Sequence, residues 1–77
     1  MEAKNMKMRT ERKDGVVIST VSPYFMALYG NYETAVSIDG NDWRILEGDE
    51  TEQQAREGHS KYENMSKQEL LNFDYIG

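Results

Sequence analysis

The stretch YETAVSIDGNDWRIL, residues 32–46, decides how this chain folds. Tyr32, Thr34, Val36 and Ile38 alternate with Glu33, Ala35 and Ser37, the period-two pattern of a strand with one buried face. Asp39-Gly40-Asn41-Asp42 follows as a dense turn signal, because Gly and Asn tolerate the positive φ of the primed hairpin turns. A turn centred on Gly40-Asn41 sets Ile38 opposite Trp43 and Val36 opposite Ile45, so that the four share one face. A turn centred on Asp39-Gly40 pairs Val36 with Trp43 and Ile38 with Asn41, a poorer match. The first register is the one expected.

Downstream, Gly48-Asp49-Glu50 ends the strand, and Thr51-Glu52-Gln53-Gln54 has capping-box spacing. Ala55, His59, Tyr62 and Met65 then form one narrow apolar stripe, which predicts a helix over 51–64. Gly58 inside that helix costs roughly 1 kcal/mol against Ala, and close approach to the sheet is the expected reason for it. Ser66-Lys67-Gln68-Glu69 repeats the capping box, so a second short helix through Leu70 and Leu71 is expected rather than one long one.

Upstream, Asp14-Gly15 separates two strand-like runs and predicts a hairpin of residues 6–12 with 16–21. The first arm is charged, as suits an edge, and the second is β-branched and more central. Residues 1–5 read as a frayed polar end. Ser22-Pro23 stops the second strand. The run Tyr24, Phe25, Met26, Ala27, Leu28, Tyr29 is then contiguous and apolar, either a lid on the core or a protein-contact surface.

The whole is one domain, residues 1–77. It is expected to be α+β, a three- to four-stranded antiparallel sheet packed on one face by the 51–64 helix. Val36, Ile38, Trp43 and Ile45 should meet Ala55, His59 and Tyr62, with the polar atoms of Trp43 and Tyr62 at the rim. A chain this short buries only about 60% of its unfolded surface, and such chains are usually reinforced by disulfides, metals or oligomerisation. With no cysteine and one histidine, oligomerisation remains. Phe25, Met26, Leu28, Leu70, Leu71, Phe73, Tyr75 and Ile76 exceed what one stripe and one sheet face bury, which favours a two-fold dimer. The competing reading folds residues 24–29 and the C-terminal segment back over the sheet's open ends.

Composition bounds function as well. No apolar run approaches the roughly 18 residues of a membrane span, and the charged start lacks a signal-peptide core, so a cytoplasmic protein is expected. The net charge of −5 divides unevenly: residues 1–14 carry +2, while residues 31–77 carry −7. An acidic body repels phosphate backbones, leaving nucleic-acid binding to the basic arm of residues 1–13. A third possibility is that the acidic body imitates nucleic acid. Catalysis would have to use His59, and no serine lies in a nucleophile elbow and no glycine-rich phosphate loop exists. On a helix's apolar stripe His59 is expected to be a packed residue bonded to a backbone carbonyl rather than a ligand or a base. No enzyme activity, cofactor or metal is expected.

Ser19-Thr20-Val21, Tyr32-Glu33-Thr34-Ala35-Val36, and Thr51, Ala55, Gly58 and His59 together form a pattern. It resembles small phage- and prophage-encoded proteins of Gram-positive bacteria, which read roughly S-T-V, Y-E-T-M-V-F, a divergent hairpin, then Y-x-T-E-E-E-A-x-x-G-H. Ala35 stands where those proteins usually carry Met, and residues 1–18 and 66–77 lie outside the likeness. The resemblance implies an origin rather than a reaction, since such proteins mostly have no assigned activity. It also implies a structural role for Tyr32, Glu33, Gly58 and His59, with the glycine admitting the sheet and the histidine packing or hydrogen-bonding across. The expected function is that of a phage accessory protein that binds another protein, of host or phage origin, such as a defence factor.

Overall fold

In a computed structural model of the chain, residues 6–22 and 28–77 are described. Four strands form one antiparallel sheet in the order β1-β2-β3-β4: β1 (Lys7–Glu11), β2 (Val16–Val21), β3 (Tyr32–Ile38) and β4 (Arg44–Asp49). Two helices follow, α1 (Glu52–Glu63) and α2 (Lys67–Leu71). The expected α+β architecture is the observed one, with the fourth strand and the second helix present. Residues 1–5 and the apolar residues Tyr24, Phe25 and Met26 lie outside the described residues.

The first hairpin turns where Asp14-Gly15 predicts. Gly15 has φ +91°, and the Arg12 N–H donates to the Val16 carbonyl at 2.8 Å. A side chain at 15 would also collide with the Asp39 carboxylate, because the Asp39 N–H donates to the Gly15 carbonyl at 2.8 Å. The tips of the two hairpins are thereby joined. Lys67 of α2 completes the junction with bonds to the Asp14 carbonyl and Asp39 Oδ1.

The central hairpin departs from expectation. Its turn lies at Asp39-Gly40, both with positive φ (55° and 78°), and the Asn41 N–H closes it on the Ile38 carbonyl at 3.0 Å. That is the turn centre of the alternative, but the pairing matches neither register. Val36 faces Arg44 and Ala35 faces Ile45, then a bulge shifts the ladder so that Thr34 faces Glu47. The extra residue of the bulge is Leu46, and Leu46 and Glu47 both lie on the helix side. Trp43 and Ile45 therefore do not join Val36 and Ile38 in the core. Leu46 takes the inner position and is almost fully buried, while Trp43 is 46% exposed on the other side of the sheet.

The core comprises Val16, Ile18, Val36, Ile38, Leu46, Tyr62 and Leu70. Helix α1 lays Ala55, Gly58, His59 and Tyr62 against the sheet, the expected stripe with Gly58 added. Both capping boxes form, Thr51 with Gln54 and Ser66 with Glu69. The capping residues satisfy first-turn N–H groups that have no partner within the helix.

The C-terminal segment folds back, as the monomeric reading expects. Leu70 is fully buried, a contribution of roughly 1.5–3 kcal/mol. Phe73 packs edge-on against Tyr62, with ring centroids 5.5 Å apart and planes at 85°, and it also meets Tyr75. The Arg44 guanidinium lies 4.3 Å from the Tyr75 ring centroid. Beyond it, the Ile76 N–H donates to the Ile45 carbonyl, and the Ile45 N–H donates to the Gly77 carbonyl at 3.0 Å. The outer edge of β4 is thus paired at Ile45.

Candidate functional site

The sheet separates two sets of side chains. Even-numbered residues of β1 to β3 face the helices. The odd-numbered ones face outward, and the row Arg9, Ser19, Ala35, Ile45 crosses the outer face from edge to edge. Ser19 and Ala35 are small, so this face has a shallow middle between two larger borders.

Trp43 forms one border, with the Arg9 guanidinium 5.8 Å from its ring centroid. At the other end of β4, Tyr29 lies over Gly48: any side chain at 48 would run into the Tyr29 backbone. The Tyr29 hydroxyl reaches Gly77, beside Ile76. Tyr29, Ile76, Ile45 and Trp43 therefore follow β4 along the outer side, and Leu28, next to Tyr29 in the chain, is 75% exposed. Of the residues expected to contact a protein, Tyr29 is on this surface and its chain neighbour Leu28 is exposed; Trp43, expected in the core, joins Tyr29. Glu33 lies on the same face, while Tyr32 sits half-buried opposite Asp49.

On the inner side His59 is buried and both ring nitrogens are engaged. Nε2 lies 2.9 Å from Thr10 Oγ1 and Nδ1 lies 2.8 Å from Thr20 Oγ1. The Thr10 hydroxyl donates to Glu63 Oε2 at 2.7 Å, so its oxygen must accept from His59 Nε2–H. Nδ1 then accepts from Thr20, whose oxygen accepts from Thr34 at 2.7 Å. Burial holds the His59 pKa below its ordinary value, against the pull of Glu63, which fits this neutral tautomer. His59 is packed as expected, but its partners are threonine hydroxyls on the strands and not the backbone carbonyl expected, because strand carbonyls are taken by the ladder. The inward threonines at 10, 20 and 34 were the available signal, since a hydroxyl on a buried strand face requires a partner.

A second polar group sits over Gly58. A side chain at 58 would press on the Glu47 carboxylate, with Asp49 just behind it. Glu47 Oε1 accepts from the Tyr62 hydroxyl at 2.7 Å and from Lys61 Nζ at 3.3 Å. Burial and the neighbouring Glu47 push Asp49 up to about 7. Burial also raises Glu47, but bonds to Asp49, Tyr62 and Lys61 outweigh it and leave Glu47 below its usual value. The Tyr62 hydroxyl is pushed up by burial and by Glu47. Sequence reading missed this pair. Two acids at i, i+2 beside a helical glycine gave the hint, and the bulge that turns both inward was not legible.

An open cleft of about 300 Å³ lies between the central hairpin tip and α2, lined by Ile38, Asp42, Arg44, Leu71 and Tyr75 among others. Among the described residues no three His, Cys, Asp or Glu side chains are grouped as a metal site, and no helix is long and apolar enough to cross a membrane. Comparison with protein-family models, curated proteins and solved structures finds no match.

Proposed function

We propose that this chain is a small phage accessory protein that works by binding another protein in the cytoplasm, a host or defence factor being the partner class the sequence resemblance suggests. Its binding surface is the outer sheet face bordered by Trp43, Ile45, Ile76 and Tyr29. The observation that carries this reading is the position of Trp43. The chain's single tryptophan stands half exposed on the face away from the helices, in a domain whose core is small. Tryptophan is enriched among the residues that dominate binding energy, and with arginine beside it the pair suits a protein contact.

Nucleic-acid binding through the basic arm is supported less well. Arg9 is paired with Glu11 and Arg12 with Asp14, and Arg12 also donates to the carbonyls of Glu63 and Met65 at the end of α1. Those cations are occupied within the fold.

The test is affinity capture from host lysate with the wild-type chain and with Trp43→Ala, read by mass spectrometry. A protein retained by the wild type and lost with the variant is the expected result. Nucleic acid as the only species retained, released steeply by salt, overturns the reading.

A further inference from the structure

The two edges of the sheet are treated differently. β4 is bonded at Ile45 by Ile76 and Gly77, whereas β1 has no strand or segment along it among the described residues. The direction of its free groups follows from the ladder. Ser22 N–H donates to the Met6 carbonyl and Arg12 N–H to the Val16 carbonyl, so Met6, Met8, Thr10 and Arg12 are the positions bonded to β2. The N–H and C=O groups of Lys7, Arg9 and Glu11 therefore point outward, three consecutive pairing positions on one edge.

Such an edge pairs with any strand unless something prevents it, and charged side chains are the usual protection. Here the charges are ordered along the strand: positive at Lys7, negative at Glu11, with Arg9 between them. That order is self-complementary in the antiparallel sense. We propose that β1 is the interface between two copies of this chain, paired antiparallel about a two-fold axis through Arg9. Lys7 then faces the partner's Glu11 and Glu11 faces the partner's Lys7, and all three outward positions are bonded. The one like-charge pair is Arg9 with the partner's Arg9. Each of those guanidiniums is already bound to its own Glu11 at 2.9 Å and lies toward its own Trp43, across the sheet and away from the free edge. A register slipped by two residues would use only two of the three outward positions and bring Lys7 against the partner's Lys13, beyond the strand.

The pairing joins four strands from each copy into one sheet and sets the two outer faces side by side. It goes beyond the function proposed above and does not depend on it, because the edge and the Trp43 surface are read by different measurements.

Light scattering over a concentration series, with four variants, tests it. The wild type is expected to pass from monomer to dimer mass as concentration rises. Arg9→Pro removes an N–H that β2 does not use, so the hairpin survives while the dimer is lost; circular dichroism checks the fold. Lys7→Glu and Glu11→Lys each place like charges opposite one another twice and should raise the dimer dissociation constant about tenfold. Lys7→Glu/Glu11→Lys restores the opposition and should restore the dimer. A monomer at every concentration, a dimer that survives Arg9→Pro, or a double variant no better than the singles overturns the proposal. If Arg9→Pro does not fold, the charge exchange alone decides. A wild-type monomer leaves the Trp43 reading standing, and loss of lysate capture leaves this one standing.

Discussion

Gly58 and the Glu47 carboxylate are so close that a methyl group at 58 would press on Oε2 and turn the carboxylate, whose Oε1 accepts from Tyr62. Gly→Ala in a helix ordinarily gains about 1 kcal/mol. In this helix it would disturb a hydrogen bond to a charged group, of a kind that contributes ~1.5–3 kcal/mol. Gly58→Ala is therefore expected to destabilise the fold by about 1 kcal/mol. In a Glu47→Ala background the obstacle is gone and the same change should become stabilising. Urea unfolding of the four proteins in this cycle measures the reversal of sign.

Asp49 and His59 give stability opposite dependences on pH. Asp49 ionises near 3.8 when unfolded and at about 7 when folded. The folded chain thus holds more protons across that window, and stability present below it is lost as pH rises toward 7. The folded pKa of His59 is depressed from 6.5, so its contribution is present at higher pH and is lost as pH falls below that value. Glu47, also depressed, adds a further loss in the acid range. Asp49→Asn removes the first of these and leaves the His59 contribution in place. The variant should exceed the wild type by up to ~1 kcal/mol at pH 8, with the difference shrinking toward zero near pH 4. Thermal midpoints across that range measure it.

How far the chain could be read in advance depended on whether one residue type dictated one geometry. Gly15 after Asp14, and the Thr51 and Ser66 boxes, each have a local solution that tertiary contacts did not override. The central hairpin had no such uniqueness, because Asp39, Gly40 and Asn41 all accept turn conformations. Ile45 and Leu46 are adjacent, so a regular strand can bury only one of them. Pairing Val36 with Arg44 put Leu46 inward and Trp43 outward, and the bulge that follows turned the acid pair inward. That non-local choice moved the candidate site from the core to the open face of the sheet.

The register makes a direct prediction about Trp43. A buried tryptophan replaced by alanine costs about 3–5 kcal/mol. Half exposed on the outer face, Trp43→Ala should cost less than about 1 kcal/mol. The indole emission of the folded protein should also be readily quenched by acrylamide. A quencher-protected indole would return Trp43 to the core and remove the proposed binding surface.

Leu70 and Leu71 are neighbours with opposite environments, one fully buried and the other 54% exposed. Leu70→Ala should cost roughly 2–5 kcal/mol and detach α2 with the Phe73 and Tyr75 packing it carries. Leu71→Ala should stay within about 0.5 kcal/mol of the wild type. Equal effects in denaturant unfolding would mean that α2 does not anchor the C-terminal segment.

The hydroxyl chain through His59 gives the most specific prediction, because its proton directions are determined. Thr34 donates to Thr20, Thr20 to His59 Nδ1, His59 Nε2–H to Thr10, and Thr10 to Glu63. Thr20→Val keeps the shape but removes the central link, leaving Nδ1 without its donor and the Thr34 hydroxyl without its acceptor. Unpaired buried groups cost about 1–3 kcal/mol each, so Thr20→Val should be among the most destabilising of the conservative changes. Thr34→Val removes only the terminal donor, and Thr20 keeps its bond to His59, so its cost should be about 1 kcal/mol. With both replaced, the Thr34 hydroxyl no longer needs a partner. The double variant should then be about as stable as Thr20→Val alone, or somewhat more so, well short of additivity. Additive losses in urea unfolding would show that the hydroxyls act independently and that the chain of donors is not the one described.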